Sequence, residues 1–140
     1  LAGPTNLVKA MRNLQSHSTS NVTTFCQNAA REAILSDHAF LGPWLAEFDA
    51  RRRLMVDLLN ALPGVACKPA PMGAFYAFPD VSGVFGRTIG GKLIKDSTTF
   101  AEVALEDAKV ALVPGIGFGE DRCVRLSYAT SRDTIEKGIA

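Results

Sequence analysis

The chain has 140 residues, 47% hydrophobic and 21% charged, which suits one folded domain or a small domain with part of another, not a disordered segment. Fifteen Lys and Arg against fourteen Asp and Glu leave a net charge of +1, so there is no electrostatic case for nucleic acid or an anionic membrane surface. Three cysteines outside any CxxC pattern and only two histidines, His17 and His38, argue against a disulfide framework or a metal centre and for a reducing cytoplasm, and no apolar run reaches the roughly 18 residues of a membrane span.

Leu7, Val8, Met11 and Leu14 recur at helical spacing, which predicts a short amphipathic helix over residues 7–15. The small polar run "SHSTSNVTT" reads as a loop, and Thr24 with Gln27 reads as a capping box opening a second helix through "FCQNAAREAIL". Asn21-Val22-Thr23 matches a glycosylation triplet, which counts for little without a secretory signal. "GPW" opens the strongest helical pattern, with Trp44, Phe48, Met55, Leu58, Leu59 and Leu62 in step and Pro63-Gly64 as its stop. Glu47 with Arg51 and Asp49 with Arg53 stand four apart, so the Arg51-Arg52-Arg53 run reads as a solvated face with intrahelical partners, not an anion patch.

Beyond this helix the pattern becomes β and α. "VACKPAPMGAFYAFPDVS" predicts two short strands joined by a Pro/Gly turn, and "GVFGRTIGGKLIKDS" a mobile, exposed loop. Thr99 and Glu102 suggest a capping box for a helix that turns Phe100, Val103, Ala104 and Ala108 inward. "VALV" reads as a buried strand, "PGIGFGED" as a glycine-rich turn and "CVRLSYA" as a strand. Ser131 then caps a last helix, "DTIEKGIA".

Arg125 raises the functional question. Strand alternation puts Val124, Leu126 and Tyr128 on one face, suited to a core, and Cys123, Arg125 and Ser127 on the other. Small neighbours around a guanidinium leave room for a planar anion, which its fork of donors matches in bidentate fashion. An exposed strand face or an internal salt bridge is the alternative. "VPGIGFGED" lacks the spacing and ending of a phosphate loop and precedes a strand, so a tight turn is the better reading. In "PMGAFYAFP", Ala74, Tyr76 and Phe78 share one face and Phe75 and Ala77 the other, a core-packing pattern. Gly73 before them asks for a close approach by backbone or ligand. There is no GxSxG or HExxH, and Lys9, Lys68, Lys92, Lys95, Lys109 and Lys137 all sit in ordinary surface contexts.

In collinear order, "LAGP", "LVKAMRNLQSHSTSN", "RRRLMVDLLNALPGV", "PMGAFYAFPDVS", "AKVALVPGIGFG" and "VRLSYATS" resemble the C-terminal third of a class I, fold-type I pyridoxal-phosphate-dependent aminotransferase of the bacterial aspartate aminotransferase kind. The most specific parts are "GAFYAFP" and "VRLSYATS"; Val22 departs from the proline often found after the loop asparagine. The resemblance implies an α/β (α+β) fold. Residues 1–45 would be the incomplete tail of a large cofactor-binding domain. Residues 46–140 would be a connecting helix and small C-terminal domain, with helices on a small mixed sheet and the last helix cut short. It implies that Arg125 binds the substrate's α-carboxylate, that Gly73, Ala74 and Phe75 lie by the substrate pocket, and that Ser18, Thr19, Ser20 and Asn21 belong to a loop reaching across a homodimer interface. Amino acid and 2-oxo acid substrates, a cytoplasmic setting and pyridoxal 5'-phosphate are implied too. The Schiff-base lysine, the partner of the pyridine nitrogen, the stacking aromatic and most of the phosphate cup correspond to segments upstream. A chain of these residues alone is therefore expected to be inactive, and its uncovered apolar faces to favour association. A fold-type I lyase or decarboxylase would use Arg125 equally well. A non-catalytic small-molecule or interaction module is the rival from another class.

Overall fold

The computed structural model describes residues 2–140. They divide into two units, one running to Phe40 and the other from Leu41 to Ala140.

The first unit holds helices α1 (Thr5–Ser18) and α2 (Thr24–Leu35). α1 runs three residues past its predicted end, and Ser16 within it satisfies its hydroxyl by bonding back to the Asn13 carbonyl. It stops where Thr19 and Ser20 N–H both close on the Gln15 carbonyl, with Ser20 in the left-handed region at φ 61°. The capping box expected at Thr24 does not form: Thr23 is the N-cap, and the Gln27 amide donates to the Val22 carbonyl at 2.6 Å. Neither helix has a buried residue, and Leu14, Phe25 and Ile34 are each more than 70% exposed.

The second unit opens with α3 (Leu41–Ala61), which buries Met55 and Leu59. The arginine run behaves as its spacing predicts: Arg51 pairs with Glu47 at 2.8 Å, Arg53 with Asp49 at 2.7 Å, and Arg52 with Asp49 at 2.6 Å. After the helix, Gly64 sits at φ +87° against the backbone of Gly83, an approach that leaves no room for a Cβ on either residue.

Strands β1 (Tyr76–Ala77), β4 (Val113–Pro114) and β5 (Val124–Ser127) form a sheet in the order β1-β5-β4, antiparallel throughout. The second strand expected before β1 is reduced to a single bridge between Ala66 and Asp80. Pro69 and Pro71 follow, and neither has an N–H for a ladder. The segment expected to be an open loop is instead a short 3-10 turn (Ser82–Val84) and a hairpin, β2 (Thr88–Ile89) with β3 (Lys92–Leu93). Gly90 and Gly91 both have positive φ, the chemistry of a two-residue hairpin turn, and Ile94 after it is fully buried.

α4 (Ser97–Glu106) is capped one turn earlier than expected: Asp96 accepts from Thr99 N–H at 2.7 Å and the Thr99 hydroxyl takes the Asp96 N–H in return. Its buried face holds Ser97, Ala101 and Val103, while Ala108, expected inward, lies beyond the helix and is exposed. A 3-10 turn (Gly115–Phe118) follows β4, and α5 (Arg132–Ile139) is capped by Ser131 as predicted. Two apolar clusters hold the unit together. Met55, Leu59, Cys67, Ala77, Tyr128 and Ile135 form one; Val81, Val84, Ile94, Val103 and Val124 form the other, and Val65 and Leu126 pack against both. No helix among the described residues is long and apolar enough to cross a membrane.

Candidate functional site

Arg125 stands on β5, the central strand of the sheet, between the buried Val124 and the half-buried Leu126. The expected alternation holds for Val124, Tyr128, Arg125 and Ser127. Cys123 departs from it: placed with Arg125 by spacing, it is buried where the strand begins and Asp80 bridges to it. The register sets Val113 directly opposite Arg125 and Tyr76 opposite Ser127. Tyr76 is thus the diagonal neighbour of Arg125, about 7–8 Å away between backbones and within an aromatic ring's reach.

The guanidinium carbon lies 4.4 Å from the centroid of the Tyr76 ring and 4.6 Å from that of Phe118. Such contacts contribute ~0.5–1 kcal/mol each at exposed sites and more where water is excluded. Phe78 packs edge-on against Phe118, with centroids 5.9 Å apart. The result is an aromatic bracket that holds the cation without neutralising it.

No carboxylate does so either. Arg51, Arg52, Arg53, Arg122 and Arg132 each pair with an acid. Among the described residues, the arginines without an acidic partner are Arg12, Arg31 and Arg87, all exposed, and the half-buried Arg125, whose side-chain donors make no hydrogen bond. The acids closest to it in sequence are engaged elsewhere. Glu120 is taken by Arg122 at 2.9 Å, which holds its carboxyl down at about 2, and Asp121 accepts from Ser97. A half-buried charge with unused donors is costly to leave so, and the natural complement is an anion from outside these residues.

Residues 73–75 lie at the other end of β5. The Tyr128 hydroxyl, buried with its ring, donates to the Ala74 carbonyl at 3.1 Å, and Tyr128 N–H donates to the Phe75 carbonyl at 2.9 Å. Ala74 is held in the left-handed region at φ 56°, a conformation that non-glycine residues adopt at some cost. The close backbone approach expected at Gly73 is not made: a Cβ there would meet nothing within 4 Å. Gly73 and Ala74 instead border a cavity of about 200 Å³ with Asp49, Arg52 and Tyr128, and Arg125 is not on its wall. Phe75 touches the Tyr76 ring, with centroids 4.5 Å apart, and it is Tyr76 that meets Arg125. Ser18, Thr19, Ser20 and Asn21 are exposed at the end of α1 and beyond it, in the first unit.

Other reactive groups are muted. Burial pushes the Cys67 and Cys123 thiols up, away from the thiolate a nucleophile needs. All six lysines are exposed; Lys92 pairs with Glu106 at 2.7 Å, which raises its pKa. No group of His, Cys, Asp and Glu among the described residues could hold a metal ion.

Three residues that matter here, Tyr76, Phe118 and Tyr128, were read from sequence as core or turn. Strand alternation had put Tyr76 and Phe78 on one face; the missing knowledge was the register that sets this face beside Arg125.

The sequence matches the family "Aminotransferase class I and II" over residues 1–140. It is 43% identical over 138 residues to an aspartate aminotransferase of Streptomyces avermitilis, covering 99% of this chain and 34% of that one. To an aspartate/prephenate aminotransferase of Cereibacter sphaeroides it is 44% identical over 140 residues, covering 99% and 35%. The fold superposes on the crystal structure of the aspartate aminotransferase from Rhizobium meliloti with a TM-score of 0.91 at 42% identity, covering 99% of this chain and 34% of that one. On an aromatic aminotransferase from Pyrococcus horikoshii the TM-score is 0.83 at 32% identity, with 99% and 35% covered. The chain therefore spans about a third of the length of the relatives it matches, and the matched third is their C-terminal part.

Proposed function

The chain belongs to the class I and II aminotransferases, and we propose that it works as the carboxylate-gripping C-terminal part of a longer enzyme of that family. The reaction moves an amino group between an amino acid, aspartate first among the candidates, and a 2-oxo acid. One observation carries this reading: the half-buried guanidinium of Arg125, bracketed by Tyr76 and Phe118, has no acidic partner among the described residues.

Both substrates of a transamination carry a carboxylate next to the carbon that reacts. One guanidinium on one rigid strand therefore serves both directions, and it orients each substrate about the same bond. The aromatic rings beside it keep the fork from following the substrate, so orientation is built before binding. The residues around Gly73 and Ala74, pinned by Tyr128, border a separate cavity with Asp49 and Arg52, and reach Arg125 only through Phe75 and the Tyr76 ring. Residues 46–140 would be the connecting helix and the small domain whose closure excludes water, and residues 1–45 the tail of the large domain. Ser18, Thr19, Ser20 and Asn21 are offered to a second subunit of a cytoplasmic homodimer.

The family implies pyridoxal 5'-phosphate, which supplies an electron sink for the α-carbon when bound. The residues described here do not fit its anchoring. A cofactor lysine needs a sheltered site that lowers its pKa, whereas every lysine of this chain is exposed and Lys92 is raised by its ion pair. The anchoring group belongs to the rest of the enzyme, and the 140-residue chain by itself forms no reducible adduct with the cofactor.

Arg125→Lys and Arg125→Ala in the full-length enzyme test the assignment. Loss of a charge-assisted bidentate bond of ~1.5–3 kcal/mol raises KM roughly 10- to 150-fold. The increase should appear for amino donor and oxo acceptor alike, because both use the same contact. Unchanged KM values for both would refute the reading.

A further inference from the structure

Phe118 is 51% exposed, so burial does not hold its ring over Arg125; apart from the edge contact of Phe78, the backbone turn beneath it must. That turn is tied down at its base. Gly115 is buried, and a Cβ there would collide with the carbonyl oxygens of Cys123 and Glu120. Ser97, the first residue of α4, is fully buried beside it. Its hydroxyl donates to Asp121 Oδ1 at 2.6 Å and accepts from the Ile116 N–H at 3.3 Å. The same carboxylate oxygen accepts the Ser97 N–H at 3.2 Å, at the positive end of α4. One buried hydroxyl thus joins the helix to the entry of the turn, through Ile116, and to its exit, through Asp121.

We infer that Ser97 and Asp121 form a latch that sets the position of Phe118 on Arg125, and through it the readiness of Arg125 to take a carboxylate. They are positioning residues and touch no substrate. With the turn released, Arg125 keeps only Tyr76 beside it and regains rotamer freedom that each binding event must then remove. The loss falls on affinity, with kcat little changed. The inference rests on Arg125 being the carboxylate ligand.

Two measurements separate the inference from that premise. The first is the Arg125 Nε–H resonance of the 140-residue chain, which the two rings shift. Ser97→Ala should move it in the same direction as Phe118→Leu, with no further movement in the double variant, and Ser97→Thr should restore it. Asp121→Asn should give a smaller move, and serves if Ser97→Ala does not fold. The second is the affinity of the full-length enzyme for maleate, which should fall about fivefold in Ser97→Ala, the cost of immobilising one freed arginine side chain on binding. It should fall no further when Phe118 is already Leu. If the resonance stays put in Ser97→Ala and Asp121→Asn while Phe118→Leu moves it, the latch is refuted. If the resonance moves and maleate affinity does not, Arg125 is not the carboxylate ligand and the premise fails instead.

Discussion

The two units of this chain start from helices of similar periodicity and end in different states. In the first, α1 and α2 form with every side chain at least partly accessible, and Leu14, Phe25 and Ile34 stay open. In the second, α3, α4 and α5 bury Met55, Leu59, Ala101, Val103 and Ile135. The difference lies in what each helix finds to pack against. Helical propensity alone leaves elements of 12 to 14 residues marginal in water. Only the second unit adds a sheet, a pair of caps and two apolar clusters, and the candidate site stands on that part.

The largest effect should come from the buried cores. Ile94→Ala removes a fully buried side chain and is expected to cost ~2–5 kcal/mol in denaturant unfolding. Leu14→Ala, at a position 73% exposed, should stay within ~0.5 kcal/mol. Equal losses would erase the contrast between the units. A smaller effect is expected from Tyr128→Phe, which deletes the bonds to the Ala74 and Gly73 carbonyls while keeping the ring. It should cost ~1 kcal/mol and speed amide exchange around Ala74.

Smaller still is an acid effect tied to Glu47, which joins α3 to α5 through Arg132. Its hydrogen bonds to Arg132 and Arg51 hold its carboxyl at about 2, against an ordinary 4.5. Because the folded value is the lower one, the stabilisation is present above 4.5 and is lost as pH falls from there through about 2. Glu47→Gln should flatten the pH dependence of stability in that window; an unchanged slope would show that the link between α3 and α5 contributes nothing.

Features set by near neighbours in sequence were legible before the fold was known. The Arg51 and Arg53 ion pairs, the Ser131 cap and the two faces of β5 all follow from spacings of two to four residues. The cap of α4 slipped by one turn because Asp96 and Thr99 form the box with its usual order of residue types reversed. The hairpin at Gly90-Gly91 was hidden in a glycine-rich stretch that reads equally as loop. What strand spacing could not supply was pairing between distant segments. That Tyr76 and Phe118 would close on Arg125 depends on β1 meeting β5 in one register and on a turn pinned by Ser97. The role of Arg125 was suggested by resemblance; that it has no acidic partner among the described residues is a finding of the three-dimensional arrangement.

The central claim is that the charge on Arg125 is reserved for a guest. It is tested most directly by titrating the full-length enzyme with a non-reacting dicarboxylate, in the native form and as Arg125→Gln. Binding should be saturable and weaken at least tenfold in the variant, the lower bound for a charge-assisted pair of about 1.5 kcal/mol. Equal affinity in the two proteins would contradict it.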